Sequence, residues 1–272
     1  MTKKELIGNE KLRSVSQDSE FVSTSLYSLS EIFHCNTKIC RYNVRGRIDD
    51  ISKKESPFFI ELTRNNGKEY LTAPKISLSR NFQNEIFNEL LIEKQKKRKS
   101  NRQPVSLKCL AKLLYFSYGL TRKLPTEEFR AAPSVDALYP IEIYPIVFSI
   151  ENLREGLYHY NVKKHLLETL REEPMKDKVV TSCINSKNLS DASVMFILTA
   201  MFKRVTFKYG DRGYRYVLLD AGHIIENTYL AARSMDIKIT IIREFIDDEI
   251  NDLIGIDGVN EAALFGIAVR EQ

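Results

Sequence analysis

The stretch TFKYGDRGYRYVLLDAGH, residues 206–223, sets Lys208, Tyr209, Asp211, Arg212, Tyr214 and Arg215 around two glycines and ahead of a long apolar segment. That density of charge and phenol suits a solvated loop, a nucleic-acid patch or an active site. Within the same region Asp220, His223 and Glu226 recur every third residue, a spacing that on a helix forms either a metal-ligand face or a polar seam. In apolar surroundings the seam is the expectation. A basic run, Lys94, Lys96, Lys97, Arg98, Lys99 and Arg102, reads either as a solvated helix end offsetting the macrodipole or as a phosphate grip. In the second case Arg98, Ser100 and Arg102 alternate along extended backbone and point one way. Nucleic acid is disfavoured because the run has no aromatic platform and no reading-helix motif. The segment RAAPSVDALYPIEIY, residues 130–144, joins an arginine, a Pro133-Ser134 turn and an apolar strand. It is a plain loop entering a sheet, or one whose amides and Ser134 hydroxyl approach a ligand.

These groups need elements to position them. Ser106 caps a helix predicted over Leu107 to about Ser117, with Leu107, Leu110, Leu113 and Leu114 on one face and Gly119 past its end. IEIYPIVFSI (141–150) and VMFILTA (194–200) are branched and aromatic runs that read as buried strands. Between them GLYHYNVKKHLLETL reads as a hairpin turning at Asn161 to Lys164, which makes His159 and His165 structural. The helix that follows Gly213 is apolar on nearly every side and belongs inside a core or at an obligate subunit interface. IKITIIREF and ALFGIAV add two strands, separated by a short helix, DDEINDLIGIDG, that stops at glycine. Without a strict βαβ rhythm the expected class is α+β.

Residues 1–80 read as an extension containing strands, with KICRYNVRGRI and PFFIELTRNNGKEYLTA turning at Asn65-Asn66-Gly67. A helix capped by Asn81 then opens a second domain, residues 81–272. With 43% hydrophobic residues the chain can bury a real core. Its net charge of +5, from 41 basic and 36 acidic residues, suits an anionic cofactor or substrate. The four cysteines (Cys35, Cys40, Cys109, Cys183) include no CxxC pair. With His34 beside Cys35 and no second ligand cluster, they read as structural. No signal-like start and no run of about 20 apolar residues is present, so a reduced, cytoplasmic location without membrane is the default.

RKSNR (98–102), RAAPSVDALYPIEIY and its continuation to residue 170, and FKYGDRGYRYVLLDAGHIIENTYLAA (207–232) occur in an order that resembles the SagB/ThcOx branch of the nitroreductase superfamily. These are azoline dehydrogenases of thiazole- and oxazole-modified peptides, and the match is greatest to the microcin-type enzymes. FHCNTK (33–38) is similar to a YHxxTK motif of that family. The resemblance implies an α+β flavoprotein that binds FMN at a homodimer interface. Arg98, Lys99, Ser100 and Arg102 match a segment that holds the FMN phosphate and ribityl chain, with Lys99 where arginine is usual. Pro133, Ser134, Val135, Asp136 and Ala137 match a Pro-Ser-Ala-Gly-Ala loop against the flavin ring, with Val135-Asp136 in place of two small residues. Arg243 and Glu244 fall at a turn near flavin N5, Glu244 standing where glycine is common. Arg270 replaces another common glycine and either assists the phosphate or ends the strand.

Lys208 and Tyr209 match the family's Lys-Tyr pair, which is implicated in removing a proton while hydride goes to the flavin. Both have reference pKa values near 10, so environment must tune them. Adjacent residues diverge on a strand or helix, so both can address one substrate only from irregular backbone, which Gly210 and Gly213 permit. The leading expectation is an FMN-dependent azoline dehydrogenase acting on a ribosomally made precursor peptide beside a cyclodehydratase. Alternatives are a small-molecule nitro- or quinone reductase and a flavin-free docking subunit.

Overall fold

A computed structural model describes residues 28–42, 105–124, 128–184 and 189–270. The chain divides into two units, Met1–Lys38 with Arg98–Gln272, and Ile39–Lys97. Of the second unit residues 39–42 are described, as coil and turn without a strand. The Asn65-Asn66-Gly67 hairpin, the Asn81 helix, the boundary at residue 80 and the basic run Lys94 to Arg102 lie outside the described residues.

In the first unit, helix α1 (Leu29–Thr37) begins at a capping box: Ser28 Oγ accepts from the Glu31 N–H, and the Glu31 carboxylate accepts from the Ser28 N–H. Helix α2 (Leu107–Tyr118) has the expected ends, Ser106 at its start and Gly119 at its close, and buries Leu110, Leu113 and Leu114. A short hairpin follows, β1 (Leu120–Lys123) with β2 (Glu128–Arg130). The main sheet contains β3 (Ile141–Val147), β4 (Gly156–Asn161), β5 (Leu166–Arg171), β6 (Ala192–Met201), β7 (Lys238–Ile242) and β8 (Glu261–Arg270). Its order is β5-β4-β3-β6-β8-β7, and every pairing is antiparallel. The expected α+β class, both apolar strands and the 156–170 hairpin are therefore all found.

Each central strand supplies two cores by alternation. Ile141, Ile143 and Val147 of β3 join Val194, Phe196 and Leu198 of β6 beneath α2 and the long helix α5 (Gly213–Ser234). Ile146, Met195, Ile197 and Ala268 point the other way, toward α3 (Lys176–Ser182) and α6 (Asp247–Ile254). Helix α4 (Lys203–Tyr209) connects β6 to α5 through a single 3₁₀ turn, Gly210–Arg212.

The long helix is expected inside a core or at a subunit interface; Val217, Ala221, Ile224 and Thr228 face the core, while Leu219 stays 59% exposed. One face of α5 packs on α2 and the sheet; on the other, Leu218 borders a cleft shared with Leu29 and Phe33 of α1, and Leu219 and His223 are exposed.

Candidate active site

Two glycines make the region after β6 possible. Gly210, at φ 54°, occupies backbone that side chains resist. Gly213 lets α4 and α5 meet closely, since a Cβ there would lie 3.1 Å from the Thr206 Cα. Between them Asp211 ties the turn to α1: its Oδ1 accepts from the Ser30 N–H at 3.1 Å and from Ser30 Oγ at 2.9 Å. His34, in the FHCNTK motif, is buried against Phe202 and bonds Tyr214 through Nδ1 at 3.2 Å. Burial holds its pKa below the ordinary value. Helix α1 is thus anchored on the turn that follows Lys208 and Tyr209.

Lys208 sits on helical rather than irregular backbone, and Tyr209 is the residue at which the helix gives way. They end helix α4, and their side chains nevertheless converge: Lys208 Nζ and Tyr209 Oη both donate to Oδ2 of Asp136. The flexible lysine stem spans part of the angular separation, and Tyr209 has left helical geometry, at φ −110° and ψ 4°. The correction matters because one carboxylate oxygen now gathers two candidate bases. Its bond with Lys208, then that with Tyr209, holds the Asp136 pKa below the usual carboxylate value. Asp136 in turn raises the pKa of both Lys208 and Tyr209.

Asp136 reaches them from a contorted loop. Asp136, Ala137 and Tyr139 all have positive φ, at 45°, 53° and 46°. Glycine would suit that backbone at position 136, and aspartate is among the few other residues that visit it readily. Ser134 braces the loop: its Oγ accepts from the Tyr139 N–H at 2.9 Å and donates to Asp220 Oδ2 at 2.5 Å. The hydroxyl expected to face a ligand is engaged within the protein. Asp220 is buried on α5, and burial raises its pKa. His223 and Glu226 remain exposed, so the Asp-His-Glu row does not share one environment. Arg204 on α4 closes the other side, bonding the Tyr139 carbonyl at 3.1 Å and Glu142 Oε1 at 2.5 Å.

The remaining candidates are scattered. Pro133 is exposed and Val135 half-buried in the same loop. Arg243 is exposed, and the Glu244 carbonyl accepts from the Ile184 N–H at 3.1 Å, tying this turn to the end of α3. Arg270 lies at the far end of the sheet, paired with Ala192 and Lys238, and its guanidinium bonds Thr240. The loop enters β3 at the opposite end, where Ile141 pairs with Ala200 and Ala200 with Ala262. No periodicity or motif announced the Asp136 pairing, which spans 72 residues to Lys208 and 73 to Tyr209. Nor did it single out Arg204 or Asp220 as supports of the loop.

A family model described as the nitroreductase family matches residues 94–269. The chain belongs to the nitroreductase family. A protein of Methanocaldococcus jannaschii named as a nitroreductase is 30% identical over 62% of this chain and 83% of its own length. The trifolitoxin-processing protein of Rhizobium leguminosarum is 29% identical over 52% of this chain and 39% of its length. For the microcin B17-processing protein of Escherichia coli the figures are 26%, 58% and 59%. The chain therefore spans well under two thirds of both processing proteins. Among solved structures, an E. coli microcin synthetase complex with truncated pro-microcin bound matches at TM-score 0.61, with 21% identity, 91% of this chain and 99% of that one. The kinship read from the motifs is borne out.

Such kinship points to a flavin, and several buried donors of this nitroreductase-family chain suit an anionic, acceptor-rich ligand. Arg130 is held between the rings of Tyr118 and Tyr139, 4.4 and 4.6 Å from their centroids. Its Nη1, the Tyr118 hydroxyl and Arg270 Nε are buried donors without a hydrogen-bond partner among the described residues. Burial is the main reason the Tyr118 pKa is driven up, so that hydroxyl keeps its proton. Among the described residues no helix is long and apolar enough to cross a membrane.

Proposed function

We propose that this protein is an FMN-dependent dehydrogenase that oxidises thiazoline and oxazoline rings of a ribosomally made precursor peptide to thiazoles and oxazoles. The observation that carries this reading is the convergence of Lys208 and Tyr209 on Asp136 at the family's flavin loop. Its kinship with two peptide-processing proteins supports the peptide substrate. A synthetase containing a cyclodehydratase, working in the cytoplasm, is the setting we infer, with a homodimer formed over the exposed face of α5. Leu218 and Leu219 on that face are exposed apolar side chains suited to a second copy.

Arg98, Lys99, Ser100 and Arg102 would hold the phosphate and ribityl chain, while Arg270, at the opposite end of the sheet from the loop and bonded to Thr240, ends its strand. Pro133, Ser134, Val135, Asp136 and Ala137 would border the ring, and Arg243 with Glu244 would lie near its N5 edge. When bound, FMN supplies the hydride acceptor. The chain's own residues orient the azoline and remove the proton from the ring carbon derived from Cα. Lys208 and Tyr209 stand where that proton must go, held by Asp136 and by the turn that Asp211 fastens to α1.

A small-molecule nitro- or quinone reductase is the second reading, favoured by the archaeal relative's name. Incubation of the flavin-loaded protein with an azoline-bearing peptide separates the two. A loss of two hydrogens per ring supports the dehydrogenase. Unchanged peptide mass beside rapid nitro-compound turnover supports the alternative, and failure to take up FMN removes both.

A further inference from the structure

We propose that Asp136 is the terminal acceptor of the substrate proton, acting through the hydroxyl of Tyr209, while Lys208 keeps the carboxylate anionic. The inference rests on the dehydrogenase reading and deepens it by dividing the work of the pair. Near neutral pH an ordinary lysine and tyrosine are protonated, and an ordinary aspartate is not. Within the cluster only Asp136 is therefore a ready base. Lys208 donates to Oδ2, and an ammonium group has no lone pair with which to accept a proton. Tyr209 also donates to Oδ2, but its oxygen keeps lone pairs open to a substrate. The geometry thus selects Tyr209 as the group that meets the carbon-bound proton and Asp136 as the place where a proton comes to rest.

The step balances. The substrate C–H bond breaks and its proton passes to Tyr209 Oη as the phenolic proton moves to Asp136 Oδ2. The electron pair stays in the ring to form the new double bond while the neighbouring carbon loses its hydride to the flavin oxidant. Asp136 can occupy this place because its backbone, at φ 45° and ψ 28°, is one that aspartate tolerates. The charged or titratable groups facing it are Lys208 and Tyr209. Tyr216 packs edge-on behind Tyr209 at 5.1 Å, and Arg212 Nε donates to the Tyr216 hydroxyl at 3.1 Å.

The test uses the full-length flavin-loaded protein, a synthetic peptide with one thiazoline ring and single-turnover rates from about pH 5 to pH 9. Asp136→Asn keeps the backbone preference and removes the charge, and Asp136→Gly removes the side chain. The wild-type rate is expected to be flat over this range. Both variants should be about 10²–10⁴-fold slower near neutrality and should gain about tenfold per pH unit, because a phenolate must now form. In flavin-free protein, the tyrosinate ultraviolet titration of wild type minus Tyr209→Phe should move to lower pH when Asp136→Asn is introduced. Variants that keep the wild-type rate, or that slow without gaining pH dependence, overturn the relay. Wild-type protein that carries FMN and leaves the ring unchanged sinks the dehydrogenase reading and the relay together; an active wild type with unaffected variants sinks the relay alone.

Discussion

Helix α4 makes two carboxylate–cation contacts one turn apart, and they differ in almost everything but chemistry. Arg204 meets Glu142 at side-chain exposures of 28% and 13%, whereas Lys208 meets Asp136 at 50% and 44%. Glu142 is also bonded to His159, which in turn bonds Glu168, so the inner contact is one link in a chain of paired charges. Among the described residues the outer contact has Tyr209 as its further polar partner. Breaking the inner pair strands a buried charge; opening the outer one leaves its members in water. The inner pair holds β3, β4 and α4 together, and the outer one is open to solvent.

The comparison breaks most sharply at Tyr209. Tyr209→Phe should lower azole formation by about 10²–10⁴-fold with an unchanged thermal midpoint, measured by peptide mass and by calorimetry. A stability loss of the kind expected at Glu142 would erase the distinction. Glu142→Gln should cost about 3–5 kcal/mol in denaturant unfolding, because Arg204 and His159 lose their shared anion. Gly213→Ala tests the frame common to both contacts. Its new methyl group presses on the Thr206 backbone and should cost about 1–2 kcal/mol.

Histidine 159 sharpens the inner side. Burial alone would lower its pKa, but bonds to Glu142 and Glu168 outweigh that and hold it above the ordinary value. A raised folded pKa contributes stability that is complete below the unfolded value of about 6.5 and is lost as pH rises through the folded one. His159→Gln should therefore cost about 1–2 kcal/mol at pH 6 and less at pH 9, read from paired unfolding curves. The smallest effect is expected on the outer side. Lys208→Met removes the leading cause of the depressed Asp136 pKa, so the acid limb of the activity profile should move to higher pH.

Much of the frame was legible because local rules and tertiary packing agree. Ser106 and Gly119 bracket α2, the alternation in β3 and β6 serves two cores, and Gly255 ends α6 at φ 84°. For the long helix the sequence left core and interface both open, because composition counts apolar residues without saying which side meets the sheet. Leu219 and Val217 read alike in sequence and differ by whole faces in space. At the site, the residue types and order singled out the loop at residues 133–137 and the pair Lys208 and Tyr209, which the structure joins through Asp136. The backbone state of Lys208 and the reach of Asp136 were hidden, since a bond across 72 residues leaves no periodic trace.

The full-length protein loaded with FMN should remove two hydrogens from each ring of an azoline-bearing peptide, seen by mass spectrometry, and Tyr209→Phe should stop this while the protein stays yellow. A flavin-loaded wild-type protein that leaves the peptide mass unchanged would contradict azoline oxidation by these residues.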